Sequence, residues 1–173
     1  FIRAVMQPEP LGTLPVIAPW QRTPIETMVP GTAEGPLTGG NLSLLVATLG
    51  TPYEVDTNGK ILLIEDVGEA PYRIDRMLTQ LRLAGKLDAA AGFIFAEWVD
   101  CEPEPGRASL SLKQVLTDIV APLGKPIVTG LAAGHGPGRL TLPLGANVRI
   151  EAPARTSSSA SPRIIVTEAG VID

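Results

Sequence analysis

Ile61-Leu62-Leu63-Ile64-Glu65-Asp66-Val67-Gly68-Glu69 runs four apolar residues straight into three carboxylates. The only histidine of the chain lies far downstream, in Ala133-Gly134-His135-Gly136-Pro137-Gly138. A carboxylate and a histidine are two members of a nucleophile–base–orienter set: imidazole is the default proton acceptor near neutral pH, and a carboxylate fixes its tautomer. The apolar run is short, unalternating and preceded by the turn signal Asn58-Gly59, which reads as a buried strand. The carboxylates then stand where the strand leaves its sheet, the usual place for chemistry in α/β proteins. Glu65 follows the strand directly and is expected to be partly buried, so it needs a partner. Asp66 and Glu69 read more simply as negative charge at the N-terminus of the following helix. The glycines around His135 permit backbone shapes that other residues resist and leave room about the imidazole. Without them, a lone histidine in a loop would read as merely solvated.

No residue offers itself as the nucleophile. Ser43, Ser109, Ser111 and the serines of 157–161 include none in a Gly-x-Ser-x-Gly turn. Cys101 is a single small residue near a strand end, reads as structural, and has no second histidine to activate it. One histidine and one cysteine are too few for the usual metal ligand set, so no metal or other cofactor is expected. Gly39-Gly40-Asn41 before a helix start could cradle an anion, but it lacks the lysine of a P-loop and the full dinucleotide fingerprint, so it reads first as a plain capped turn unless the helix start faces the same cleft.

The elements that must position these groups follow from periodicity. Asn41 is a good N-cap and Gly50 a good stop for a helix over Leu42–Leu49. Ile74, Met77, Leu78 and Leu81 fall on one helical stripe, with Pro71 in the first turn and Gly85 past the end. Leu112, Val115, Leu116 and Ile119 repeat that spacing, limited by Pro122. Strands are expected at Thr27–Val29, after Gly35, at Ile61–Ile64, Ala91–Ala96 and Pro126–Thr129, with Val148–Ile150 and Ile164–Val166 as a closing ribbon. Ser157-Ser158-Ser159-Ala160-Ser161 reads as a loop between these last two strands. Residues 1–23 are proline-rich and aperiodic and read as a linker or lead-in. The class is α/β, with a strand–helix–strand–helix–strand middle and β-rich ends.

A chain of 173 residues with 45% hydrophobic content and a mean hydropathy of +0.22 fits one well-buried domain. No run approaches the roughly 18 apolar residues of a membrane helix. A net charge of −4 without a basic cluster argues against nucleic acid and anionic membrane. The single cysteine suits a reducing compartment. The start at Phe1, without a basic-then-apolar leader, is that expected of a processed or excised piece.

With these residues in view, the chain resembles a family. Gly31-Thr32-Ala33-Glu34-Gly35-Pro36-Leu37-Thr38-Gly39-Gly40-Asn41-Leu42 is similar to the G-x-x-x-G-x-L-x-G-G-N-L segment of LD-carboxypeptidases, serine peptidases that include the microcin-immunity proteins. So are Ile61–Glu69 followed by Pro71-Tyr72-Arg73-Ile74-Asp75-Arg76-Met77-Leu78, the loop Gly134-His135-Gly136, and Leu142-Pro143-Leu144-Gly145. The match spans about residues 24–151. The resemblance implies a carboxy-terminal domain of swivelling β/β/α type over residues 24–173, a mixed sheet with helices and a β-ribbon near its end. An amino-terminal domain would carry the serine and its oxyanion hole. Glu65 and His135 match the family's catalytic glutamate and histidine, and Asn41 an asparagine near the substrate. The implied activity is cytoplasmic hydrolysis of the L,D-amide of murein peptides, in peptidoglycan recycling. Peptide–nucleotide antibiotics are the alternative substrate, and a non-catalytic module binding peptidoglycan fragments is the alternative role. The expected partners are the murein peptide and the nucleophile-bearing domain, with a second copy of the chain as a further candidate.

Overall fold

The computed structural model describes residues 1–15, 24–106, 108–154 and 160–171. The alternation of apolar runs and helical stripes becomes a parallel core: β3 (Gly31–Asn41), β4 (Ile61–Val67), β5 (Gly92–Val99) and β6 (Ile127–Thr129) lie side by side in chain order. The crossovers are α2 (Leu42–Ala47), then α3 (Pro71–Leu83) with the short α4 (Lys86–Ala89), then α5 (Leu112–Ile119). Each advances the sheet in the same direction, so a uniform crossover hand puts all the helices on one face. Antiparallel strands finish both edges. β2 (Glu26–Val29) borders β6, while β7 (Asn147–Ala152), β8 (Arg163–Val166) and β1 (Gly12–Thr13) extend from β3, making an eight-stranded sheet.

β3 is longer than the short strand expected after Gly35. It starts at Gly31, pairs antiparallel with β7 through Pro36, and pairs parallel with β4 from Leu37 onward. The stretch read as a lead-in contains α1 (Ile2–Met6) as well as β1 within residues 1–15, and β1 adds to the edge of β8. Leu14 joins the core there. Residues 16–23 of that stretch, and Ser157–Ser159 of the serine-rich loop between β7 and β8, lie outside the described residues.

Two apolar clusters sandwich the sheet. On the helix side, Leu62, Ile64, Phe93 and Phe95 meet the stripes of α3 and α5. Ile74, Met77, Leu78 and Leu81 of α3 are all buried, each side chain contributing about 1.5–3 kcal/mol of transfer free energy. Ser111 opens α5 with a reciprocal cap: its hydroxyl accepts from the Gln114 amide, and the Gln114 side chain accepts from the Ser111 amide. On the other side, Ile61, Leu63, Ile94 and Val128 meet Val148, Ile150, Ile164 and Val166 of the ribbon. β4 is therefore buried on both faces, which is why its sequence is an unalternating apolar run.

Candidate active site

Strand alternation decides where the consecutive carboxylates go. Ile61 and Leu63 face the ribbon side, and Glu65 continues that row; Leu62 and Ile64 face the helices, and Asp66 continues theirs. Both acids are buried, at 5% and 2% exposure.

Asp66 serves a different helix from the one expected. It does not sit at the start of α3, whose first turn holds no acid. Its carboxylate reaches across to the start of α2, accepting from the Ser43 amide at 3.0 Å and from Asn41 Nδ2 at 2.9 Å, and also from its own neighbour Val67 N at 2.8 Å. Asn41 caps α2 as expected: its Oδ1 accepts from Leu44 N at 3.2 Å and from Ser43 Oγ at 2.6 Å. The helix start after Gly39-Gly40 is thus filled by the protein's own carboxylate, which is why it reads as a capped turn. Glu69 stays at the mouth of α3 and pairs with Arg73 at 3.5 Å.

Glu65 meets His135. The histidine loop follows β6 and is stitched along β5 by Gly130 N to Phe95 O and by Glu97 N to Ala133 O. There His135 Nδ1 lies 2.8 Å from Glu65 Oε2. The imidazole is about half exposed, at 48%, against 6% for the Glu65 side chain. No other hydrogen bond holds the ring among the described residues. A buried carboxylate on Nδ1 selects the tautomer with its proton there, leaving Nε2 as the basic nitrogen. Asn41 stands beside this pair, directly opposite Glu65 in the parallel register of β3 and β4.

Gly134 and Gly136, on either side of His135, are there for close approach rather than for open space. A Cβ on Gly134, whose φ is +127°, would stand 2.6 Å from Glu65 Oε2. A Cβ on Gly136 would collide with the carboxylate of Glu97. Glu97 is a site residue that periodicity did not find. The β4–β5 register runs from Ile64 opposite Phe95 to Asp66 opposite Trp98, so β5 carries one extra residue beside Glu65. Phe95 and Trp98 both pack on the helix side, Ala96 on the ribbon side. The bulge turns Glu97 toward the histidine loop, a re-aiming typical of bulges near functional sites. The only signal in the sequence was a carboxylate just past an apolar strand, the pattern that marked Glu65.

Burial pushes the Glu97 carboxyl above the ordinary glutamate range; the Gly136 amide and Arg139 oppose this, and the negative charge of Glu65 adds to it. Its Oε2 is buried without a hydrogen-bond partner. A cavity of about 750 Å³ between β2, β5 and α5 reaches Glu97, Gly136 and Pro137. Cys101 is buried, its thiol raised chiefly by burial, with Sγ donating to Val99 O at 3.2 Å. Ser43, Ser109 and Ser111 each donate or accept within their own turns and caps.

The chain matches the family model described as the LD-carboxypeptidase C-terminal domain over residues 34–150. It is 46% identical over 149 residues to a probable murein peptide carboxypeptidase of Bacillus subtilis, covering 86% of this chain and 44% of that protein. It is 32% identical to the microcin C7 self-immunity protein of Escherichia coli, over 70% of this chain and 35% of that one. A crystal structure of muramoyltetrapeptide carboxypeptidase from Oxalobacter formigenes superposes with a TM-score of 0.70 at 29% identity, covering 84% of this chain and 50% of that one. The chain spans less than half the length of these two curated relatives. The match runs from the outer half of β3 through the carboxylate, the histidine loop and β7. By that match and the shared fold, the chain belongs to the LD-carboxypeptidase family, as its C-terminal domain.

Proposed function

We propose that this chain is the base-bearing half of a serine LD-carboxypeptidase acting on murein peptides. The observation that carries the reading is the 2.8 Å contact between His135 Nδ1 and the buried Glu65. His135 Nε2 takes the proton from a serine hydroxyl as it attacks the amide carbonyl, and later returns it to the leaving amine of the D-amino acid. Glu65 holds the tautomer and stabilises the imidazolium. The serine and its oxyanion hole come from an amino-terminal domain of the whole protein, separate from the sheet to which both residues 24–173 and β1 contribute, and the whole protein works in the cytoplasm. Asn41 keeps one amide proton uncommitted after bonding Asp66, and donates it to the substrate. This chain alone hydrolyses no peptide, because among the described residues no hydroxyl is bonded to its general base. The similarity to a microcin self-immunity protein supports a second reading, in which the substrate is a peptide–nucleotide.

The test uses the whole protein with a murein tetrapeptide and, separately, an aminoacyl sulfamoyl nucleoside. D-Alanine release from the first is expected, falling about 10²–10⁴-fold in His135→Ala and severely in Glu65→Gln, with little change in KM. Near wild-type turnover in either variant would refute the mechanism. Cleavage of the nucleoside substrate alone would favour the second reading. D-Alanine release by this chain by itself would show that the nucleophile lies within it.

A further inference from the structure

The histidine loop rests on two carboxylates, not one. Gly134 lies against Glu65 and Gly136 against Glu97, on neighbouring parallel strands, with His135 between them. Glu65 bonds the imidazole itself. Glu97 touches no reacting group; it meets the loop backbone, and its own amide also donates to Ala133 O at 3.1 Å. On the outer side, Arg139 Nε donates to Gly136 O at 3.1 Å. Gly136 is thereby held between the Glu97 carboxylate and the Arg139 guanidinium. An unpartnered buried oxygen costs free energy, and a bulge that aims it at one glycine persists only when the surroundings hold it there.

We infer that Glu97 is a positioning residue for His135, fixing the far side of the histidine loop through Gly136 as Glu65 fixes the near side. Its effect is geometric. With Glu97 in place, Gly136 cannot sink toward β5, so the imidazole is held at the height where Nδ1 meets Glu65. Its relevance to catalysis rests on the proposal that His135 is the general base.

The chain has a single histidine, so imidazole 15N–1H spectra of this domain report His135 without ambiguity. In Glu97→Ala the Nδ1–H signal held by Glu65 is expected to broaden or split. Glu97→Gln, which keeps the volume against Gly136, should retain the wild-type signal. Gly136→Ala alone should lose it, and adding Glu97→Ala, which clears space for the new methyl, should restore it in part. In the whole protein, kcat is expected to fall about ten-fold in Glu97→Ala and on the order of 10²-fold in Gly136→Ala, with KM nearly unchanged, because a displaced base costs chemistry rather than binding. A wild-type spectrum for Glu97→Ala, or strictly additive effects of the two substitutions, overturns the inference. If Glu97→Ala does not fold, Glu97→Asp decides in the same way, since it withdraws the carboxyl from Gly136. The spectra decide this question even if the whole protein hydrolyses no murein peptide, a result that would count against the proposed function alone.

Discussion

Replacing Gly134 with alanine tests whether the Glu65–His135 contact is held by the close approach of backbone to carboxylate. Two costs arise. The φ of +127° at Gly134 is one that L-residues rarely adopt, worth about 1–3 kcal/mol of strain. The new methyl would stand 2.6 Å from Glu65 Oε2 and 3.1 Å from its Cδ, an overpacking worth about 1–3 kcal/mol. The sum, about 2–6 kcal/mol, corresponds to a fall in Tm of roughly 4–24 °C for a domain of this size. Gly85→Ala is the control: φ is +73° and nothing lies within 4 Å of the added carbon, so only the backbone cost of about 1–2 kcal/mol applies. Thermal denaturation compares the two, and the His135 imidazole signal separates them further. The oxygen displaced by alanine at 134 is the one that bonds Nδ1. That variant should lose the bonded signal, and in the whole protein turnover should fall on the order of 10²–10⁴-fold, since a wrongly held imidazole loses its tautomer. Equal melting losses in the two variants, with a wild-type His135 imidazole signal in Gly134→Ala, would refute the reasoning.

Asp66→Ala removes the acceptor of three hydrogen bonds, from Asn41 Nδ2, Ser43 N and Val67 N. At about 1.5–3 kcal/mol for each bond to a charged group, less what water recovers, a loss of about 3–5 kcal/mol is expected in urea denaturation. A loss under about 1 kcal/mol would mean that this cluster does not hold α2 to β4. Glu97 gives a pH dependence of definite sign. Its folded pKa lies above the ordinary value because of burial, so folding favours the neutral acid. That contribution is complete below the unfolded glutamate value of about 4.3 and is lost as pH rises through the folded value. Glu97→Gln, neutral at every pH, should therefore gain stability relative to the parent as pH rises from about 4 to 7. A difference that is flat across this range would remove the buried-acid assignment.

The stripes made α3 and α5 legible and the Asn41 cap made α2 legible, while α1 and the short α4 carry neither signal. Asn41, Pro71 and Gly85 mark ends that lie within a residue or two of those observed, whereas the Ser111 cap of α5 emerged only from the structure. β4 was legible because burial on both faces leaves an unbroken apolar run, and Glu65 because it breaks that run. Other features depend on partners remote in sequence. Nothing local tells Asp66 that the open helix start beside it belongs to α2 rather than α3; only the alternation of faces across a folded sheet does. Glu97 needed the bulge opposite Glu65, and a bulge is a property of two strands together. The outer half of β3 and the two-residue β1 carry Gly, Thr and Glu with little apolar pattern, and are strands because β7 and β8 are there to pair with them.

The change of partner along β3 also bears on how the chain comes together as it is made. Its inner half finds β4 soon after emerging from the ribosome. Its outer half, Gly31–Pro36, has to wait for Asn147–Ala152, which are synthesised after every residue of the site. Until then the outer half is an open edge, a template for pairing with another nascent chain. Such long-range pairing is slow, since the loop must close before any contact rewards it. Assembly therefore runs outward from the helix-side core, and the segment bearing His135, which lies between β6 and β7, is clamped among the last, when the ribbon arrives.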